Sequence, residues 1–264
     1  MLVLMMIFAF NSCIYIAKNT KKQEEVEEYL EYSKEYSTYD ANLFLHLQKH
    51  VLLDKNLNFC YQDEDCDNEK IETTDVASAS GGVISAKQGK VYGLTAAHFC
   101  IDEEYDENDN IFQVDYQKVV LAFFLNKVFA AKIEKIDTDT DLCLISFDVD
   151  FHTKRLSKLE IADAMPKIGS EVYTVSSPLG LHEHTFRFYY KGYYSGCSVK
   201  YGCLYTIPAT HGSSGSLVLN DSGELISIMS VAILPFKQIS AGPGIEEIKL
   251  FLEEYREVTG IKLP

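Results

Sequence analysis

Apolar positions fall into four regimes along the 264 residues. Residues 1–17 (MLVLMMIFAFNSCIYIA) are almost wholly apolar, broken by Asn11 and Ser12, and Lys18, Lys21 and Lys22 follow directly. Residues 18–53 hold no Gly or Pro, are densely charged, and place Val26, Tyr29, Leu30, Ser33 and Tyr36 at helical spacing. That pattern predicts two helices broken near 37–40, the second over 41–53. After Val76 the chain changes to short β-branched and aromatic runs separated by Gly, Asn and Asp: GGVISA, VYGLTAA, VVLAFFL, KVFAAKIEKI, DLCLISF, EVYTVSS, TFRFYYKGYYSG, CLYTIPA, GSLVLN and ELISIMSVAIL. Strands at this spacing predict an antiparallel barrel or sandwich. The last regime is helical, with Ile245, Ile248, Leu252 and Tyr255 forming one stripe of a helix over 243–258. No period of 20 to 50 residues recurs, which excludes a repeat protein.

Three divisions follow: a hydrophobic signal or membrane anchor (1–17), a helical acidic extension (18–75) and a folded domain (76–258). The first segment is short for a membrane span and lacks a positive start, so three types stay open: a cleaved signal, a signal anchor, and a lipoprotein signal modified at Cys13. A misplaced start codon is the plainer explanation. Attachment to a membrane through the N-terminus, or secretion, is the matching expectation for location.

A hydrophobic content of 47% permits a real core, and a net charge of -15 argues against a nucleic-acid partner, which needs clustered Lys and Arg. Seven cysteines are present. Cys60/Cys66 and Cys197/Cys203 are spaced for small disulfide loops in an oxidising compartment, and the absence of a C-x-x-C pair disfavours a zinc ribbon or thioredoxin motif. His46 and His50, one helical turn apart, and His182 and His184, flanking Glu183, have metal-ligand character but no further ligands in register. Asp63, Asp65 and Asp67 alternate as in a calcium loop, yet Asn68 and Thr74 stand where Gly and Glu belong. The acidic run 102–110 is read as a solvated loop. No metal and no cofactor are expected.

Three segments fit one chemistry: Leu94-Thr95-Ala96-Ala97-His98, Asp139-Thr140-Asp141-Leu142, and His211-Gly212-Ser213-Ser214-Gly215-Ser216. A serine hydroxyl is a poor nucleophile until an imidazole takes its proton and a carboxylate holds the imidazole tautomer. Singly, each segment reads as a packed histidine, a turn aspartate and a flexible turn. Together, in the order His, Asp, Ser, they resemble trypsin-like serine proteases, above all the HtrA/Deg-type protease domain, and they exclude the subtilisin and α/β-hydrolase orders. Lys167-IGSEVYTVSSPLGL and the terminal helix extend that resemblance over about 76–258, leaving no room for a PDZ domain.

The resemblance implies an all-β fold of two antiparallel six-stranded barrels (about 76–150 and 165–240) with a C-terminal helix. It implies a serine endopeptidase in which His98 is the base, Asp141 orients it and Ser214 attacks a protein or peptide substrate. The N–H groups of Gly212 and Ser214 would receive the oxyanion, glycine at 212 allowing the backbone turn. A catalytically inactive binding module and an esterase are the alternatives. Ser213 replaces the Asp of zymogen-activated trypsins. Ser80 precedes Gly-Gly, so the family's disulfide beside the histidine is expected to be missing, with Cys143 a buried free thiol. The specificity pocket maps to Ala209, Thr210 and His211 on one wall and Ser230, Val231 and Ala232 on the other. With no acid at its base and Met229 where glutamyl endopeptidases carry a histidine, it is expected to favour small apolar side chains, with His211 at the rim keeping an acidic side chain open as the alternative. Tyr189, Tyr190, Tyr193 and Tyr194 read as packing, and Ser195 lacks a nucleophile's flanks.

Overall fold

The computed structural model describes residues 44–52, 73–87, 89–101, 104–105, 111–112, 117–125, 127–149, 156, 159–182, 187–233 and 238–264. Its first half is a closed antiparallel barrel in the order β1-β2-β3-β8-β7-β6. The strands are β1 (Phe44–Leu52), β2 (Thr73–Lys87), β3 (Lys90–Ala96), β6 (Gln117–Phe124), β7 (Lys127–Asp137) and β8 (Leu142–Asp148). A helical turn, α1 (Ala97–Cys100), leaves the end of β3, and a small pair, β4 (Glu104–Tyr105) and β5 (Ile111–Phe112), precedes β6. Leu47, Val83, Leu94, Leu144 and Phe147 are among the buried side chains of its core.

The second half is a seven-stranded sheet, one strand more than expected, in the order β13-β12-β9-β10-β11-β15-β14. It comprises β9 (Glu171–Ser176), β10 (Phe188–Ser198), β11 (Gly202–Tyr205), β12 (Leu217–Asn220), β13 (Leu225–Ile228), β14 (Val231–Ala232) and β15 (Ser240–Gly242). A 3-10 turn at Pro178–Gly180 follows β9. Val172, Tyr205, Ile207, Val218 and Met229 fill its core. Cys197 and Cys203 face each other across β10 and β11 and are disulfide-bonded.

The chain ends in α2 (Ile245–Thr259), whose first turn is capped by Gly244 N–H donating to Glu247 Oε2 at 3.0 Å. Gly260, at φ 72°, stops it. Ile245 packs in the second core, whereas Ile248, Phe251, Leu252 and Tyr255 pack in the first. The helix therefore fastens one half to the other by apolar burial, at about 1.5 to 3 kcal/mol per buried large side chain.

One expectation is corrected. The segment predicted as a helix over 41–53 is strand β1, paired with β2 and β6 and required to close the barrel. The barrel thus begins at Phe44, not near Val76. Leu45 and Leu47 are fully buried, and Phe44 and His46 between them are buried as well. Burial of successive residues removes the polar-apolar alternation that marks a half-exposed strand, so the helix-forming composition of the segment prevailed in the sequence reading.

Candidate active site

β3 delivers His98. Its last residues pair with β8, and at Ala96 the chain turns into α1, where Ala97 N–H donates to Asp141 O at 3.0 Å. Asp141 sits in the β7–β8 turn with φ 56°, a left-handed conformation uncommon for a residue with a Cβ. The preceding Asp137 builds that turn, its carboxylate accepting from Asp139 N–H (3.0 Å) and Thr140 Oγ1 (2.8 Å). Among the aspartates of DTDTD, then, Asp137 shapes the loop and Asp141 is presented by it. The Asp141 carboxylate receives His98 N–H at 2.9 Å and lies 2.9 and 3.0 Å from His98 Nδ1. Donation from Nδ1 leaves Nε2 as the ring's acceptor, on a side chain that is half exposed.

A second correction concerns the cysteines beside this pair. Cys100 and Cys143 are joined in a disulfide, with Cα atoms 6.6 Å apart, so Cys143 is not a free thiol and the histidine does have a disulfide beside it. The four-residue turn α1 folds Cys100 back toward β8, where Cys143 stands opposite Thr95 of β3. The hydroxyl of Ser80, in the position expected to leave Cys100 unpaired, instead donates to Gly212 O at 2.7 Å.

The segment around Ser214 is seated on the first barrel. Ser80 N–H donates to Ser214 O at 2.8 Å, and Gly215, at φ 83°, lies so close that a Cβ there would fall 2.2 Å from Thr95 Oγ1 and 2.8 Å from Ala96 N. Only glycine permits that approach, and it brings Ser214 next to the residues that lead into His98. No hydrogen bond joins Ser214 Oγ to His98 among the described residues; such contacts are often long before substrate binds. Gly212, at φ 84°, is equally confined, since a Cβ would stand 2.4 Å from Ser177 O.

The N–H groups of this segment alternate. Ser213 N–H donates to Thr210 O and Gly215 N–H to Met229 O, but those of Gly212 and Ser214 have no acceptor among the described residues. His211 O, in the peptide carrying Gly212 N–H, accepts from Leu179 N–H at 2.6 Å; Ser213 O, in the peptide carrying Ser214 N–H, accepts from Ser216 N–H at 3.1 Å. In a trans peptide C=O and N–H point in opposite directions, so both anchors turn the two unengaged donors away from the protein bonds behind them. Such a pair is suited to an oxygen that gains negative charge.

The residues mapped to a specificity pocket flank this loop. Thr210 accepts the Ser213 bond, while Met229 exchanges two backbone bonds with Gly215 and Ser216 and so places Ser230 alongside. Ala209 is buried, Thr210, Ser230 and Ala232 are half-buried, and His211 and Val231 are exposed. Met229 is packed in the second core.

Several sequence candidates take other places. His46 and His50 lie four residues apart on a strand, about 13 Å along it, which separates them as a metal pair. His182 stacks on His46 with ring centroids 4.8 Å apart, and His184 lies outside the described residues. Among the described residues no cluster of three or more His, Cys, Asp or Glu could hold a metal. Ser195 is exposed on β10. Cys13, Cys60, Cys66 and the alternating aspartates 63–67 lie outside the described residues. Sequence reasoning gave His46, Ser80, Thr95 and Ser177 no part in holding the Ser214 segment, although Thr95 lies in the run leading to His98 and Ser177 in the run after Lys167; their contacts join segments far apart in the chain.

A family model described as "Trypsin-like peptidase domain" matches residues 71–228. Among solved structures, the serine endoprotease from Yersinia pestis superposes with a TM-score of 0.55 at 16% identity, covering 91% of this chain and 68% of that one, a likeness of fold. No curated protein matches the chain.

Proposed function

The chain belongs to the trypsin-like peptidase family of serine proteases, and from that premise we propose that it is an endopeptidase working through His98, Asp141 and Ser214. The observation that carries this reading is the pairing of His98 Nδ1 with the Asp141 carboxylate at 2.9 Å, with Nε2 left as acceptor beside the loop that presents Ser214. Ser214 Oγ attacks the scissile carbonyl carbon and its proton passes to His98 Nε2. Asp141 holds the Nδ1–H tautomer and stabilises the imidazolium. The carbonyl oxygen, now an oxyanion, is received by the N–H groups of Gly212 and Ser214. Collapse expels the amine, which takes the proton from His98 and leaves an acyl-enzyme on Ser214. Water, deprotonated by His98, then hydrolyses that ester.

For specificity we propose small apolar residues before the scissile bond, bounded by Ala209, Thr210, His211, Ser230, Val231 and Ala232. None of the six is Asp or Glu, so a cationic side chain would be buried without a counter-charge, and His211 at the rim is the one group among them that could partner an acidic side chain. The substrate is a protein or peptide. An extracytoplasmic site of action is supported by the two disulfides, which persist in oxidising compartments. No helix among the described residues is long and apolar enough to cross a membrane. Residues 1–17 remain the proposed signal or anchor.

Purified protein is expected to be labelled by a fluorophosphonate and to cleave a peptide library, both abolished by Ser214→Ala. Labelling without peptide cleavage but with ester turnover would make it an esterase, and no labelling a binding module. Arg, Lys or Glu dominating the cleavage sites would overturn the pocket assignment.

A further inference from the structure

The two N–H groups proposed to receive the oxyanion belong to peptides anchored at His211 O and Ser213 O, and between those two planes lies the Gly212–Ser213 peptide. Gly212 is the residue with the greatest freedom to turn, so whatever fixes its carbonyl fixes the angle between the two donors. Ser213 N–H, on the other side of that peptide, is held by Thr210 O at 2.9 Å, and the carbonyl is held by one side chain, Ser80 Oγ, at 2.7 Å.

Ser80 is itself the end of a buried chain. It stands opposite His46 in the β1–β2 register, and Ser177 closes the gap from the end of β9. His46, Ser80 and Ser177 are 1%, 0% and 1% exposed. His46 Nδ1 is 2.9 Å from Ser177 Oγ, Ser177 Oγ is 3.1 Å from Ser80 Oγ, and Gln48 Nε2 is 3.1 Å from His46 Nε2. Counting protons gives the chain a direction. A hydroxyl has one proton, and that of Ser80 goes to Gly212 O, so Ser80 Oγ accepts from Ser177: from its N–H at 2.9 Å, and from its hydroxyl, for which Ser80 Oγ at 3.1 Å is the nearer acceptor and Ala79 O at 3.4 Å the farther. Ser177 Oγ then accepts from His46 Nδ1–H, which leaves His46 Nε2 to accept from the Gln48 amide. Apart from the longer Ser177–Ala79 contact, the bonds point from Gln48 toward Gly212, an arrangement in which each donor is strengthened by the one behind it.

We infer that His46, Ser177 and Ser80 form a donor relay that positions the Gly212–Ser213 peptide, and through it the Gly212 and Ser214 N–H groups, for the reaction. The inference rests on the reading of Ser214 as nucleophile. Ser80 serves the loop twice, since its N–H also holds Ser214 O at 2.8 Å while its own carbonyl accepts from Thr95 Oγ1 at 2.7 Å. The three are positioning residues and touch no substrate atom. The neutral tautomer the relay needs suits its surroundings: His46 is enclosed by Phe123 and His182, and burial first, then the charge of Arg187, press it toward neutrality.

The test uses steady-state kinetics of the full chain on one peptide amide, together with fluorophosphonate labelling and thermal unfolding. Ser80→Ala is expected to lower kcat about ten- to a hundredfold with KM unchanged, less than the 10²- to 10³-fold typical of deleting an oxyanion donor outright. Should Ser80→Ala not fold, the pair at His46 decides: His46→Asn keeps an N–H near the Nδ1 position and is expected to retain most of kcat, whereas His46→Leu, of similar bulk, is expected to lose about tenfold at equal KM. Equal kcat in these two folded variants, or full kcat in folded Ser80→Ala, overturns the relay. A wild-type protein that neither labels nor cleaves overturns the proposed function itself, and the relay with it; an active wild type with an indifferent Ser80 overturns the relay alone.

Discussion

The two halves of the molecule hold the proposed reactive groups by different means. The first barrel carries His98 and Asp141 at the ends of paired strands, and the Cys100–Cys143 disulfide ties the turn bearing His98 to the strand that follows Asp141. The second half carries Ser214 on a segment between β11 and β12, and much of what holds that segment comes from the first barrel: Ser80 N–H, Ser80 Oγ and the surface of Thr95 against Gly215. One half carries its own disulfide beside the histidine, while the other is shaped in part by its partner. The division teaches where damage should show: breaking the first half should cost stability, and breaking the contact between halves should cost turnover.

The largest effect expected is on chemistry. Ser214→Ala should reduce kcat about a millionfold, some 8 kcal/mol of transition-state stabilisation, with the thermal unfolding midpoint unchanged. His98→Ala should match it, because the proposed residues act as a unit. Either variant at near wild-type turnover of a peptide amide breaks the assignment.

Next comes the disulfide contrast between the halves. Cys100–Cys143 spans 43 residues and Cys197–Cys203 spans 6. By the loop-entropy relation, removing the first by a double Cys→Ser change should cost about 4 kcal/mol and the second about 2 kcal/mol. Denaturant unfolding of both variants checks the order. The second costing more would show that the first barrel is held by its strands alone.

A pH effect of about 3 kcal/mol should follow from His46. Burial, reinforced by Arg187, lowers it from 6.5 to about 4 in the folded protein. Unfolded, it takes up a proton as pH falls through about 6.5; folded, only near about 4. Across that window unfolding binds a proton, so stability falls with pH, and the lost amount is fully present above about 6.5. Urea unfolding at pH 7 and pH 4 should show a smaller decline in His46→Asn than in wild type. An identical decline would mean that other groups set the acid limit.

What the sequence could and could not express follows the same division. His98, Asp141 and Ser214 could be proposed from the sequence because each sits in a short local pattern, which the structure renders as a strand end, a turn and a glycine-flanked loop. Most strands were legible as β-branched runs, and α2 as a stripe at helical spacing. β1 was not, because Phe44, Leu45, His46 and Leu47 are all buried and leave no alternation to read. Its partner β6 begins only at Gln117, a pairing no local window contains. The Cys100–Cys143 bond was missed for a related reason: it depends on α1 folding back onto β8, a fact of tertiary geometry. Ser80 and Ser177 were silent because isolated serines carry no periodicity, and their role exists only where two strands and a loop converge.

The smallest effect concerns the fastening of the halves through α2. Lys135 of β7 reaches the helix with its ammonium 2.5 Å from Glu254 Oε2, 2.9 Å from Phe251 O and 4.5 Å from the centre of the Phe251 ring. The Glu254 side chain is about half exposed at 53%, so water and salt screen the ion pair. Exposed pairs of this kind contribute roughly 0 to 1 kcal/mol. Glu254→Gln should therefore destabilise by less than about 1 kcal/mol, and the loss should shrink further in 1 M salt, where the screening length is only about 3 Å. Phe251→Ala is the contrasting change: its ring is buried in the first core, and its removal should cost about 3 to 5 kcal/mol through lost apolar burial and the cavity left behind. Chemical denaturation of the two variants side by side measures the ratio. If Glu254→Gln proved the costlier, the helix would be held by charge instead of packing, and the attachment of the second half to the first would weaken with salt.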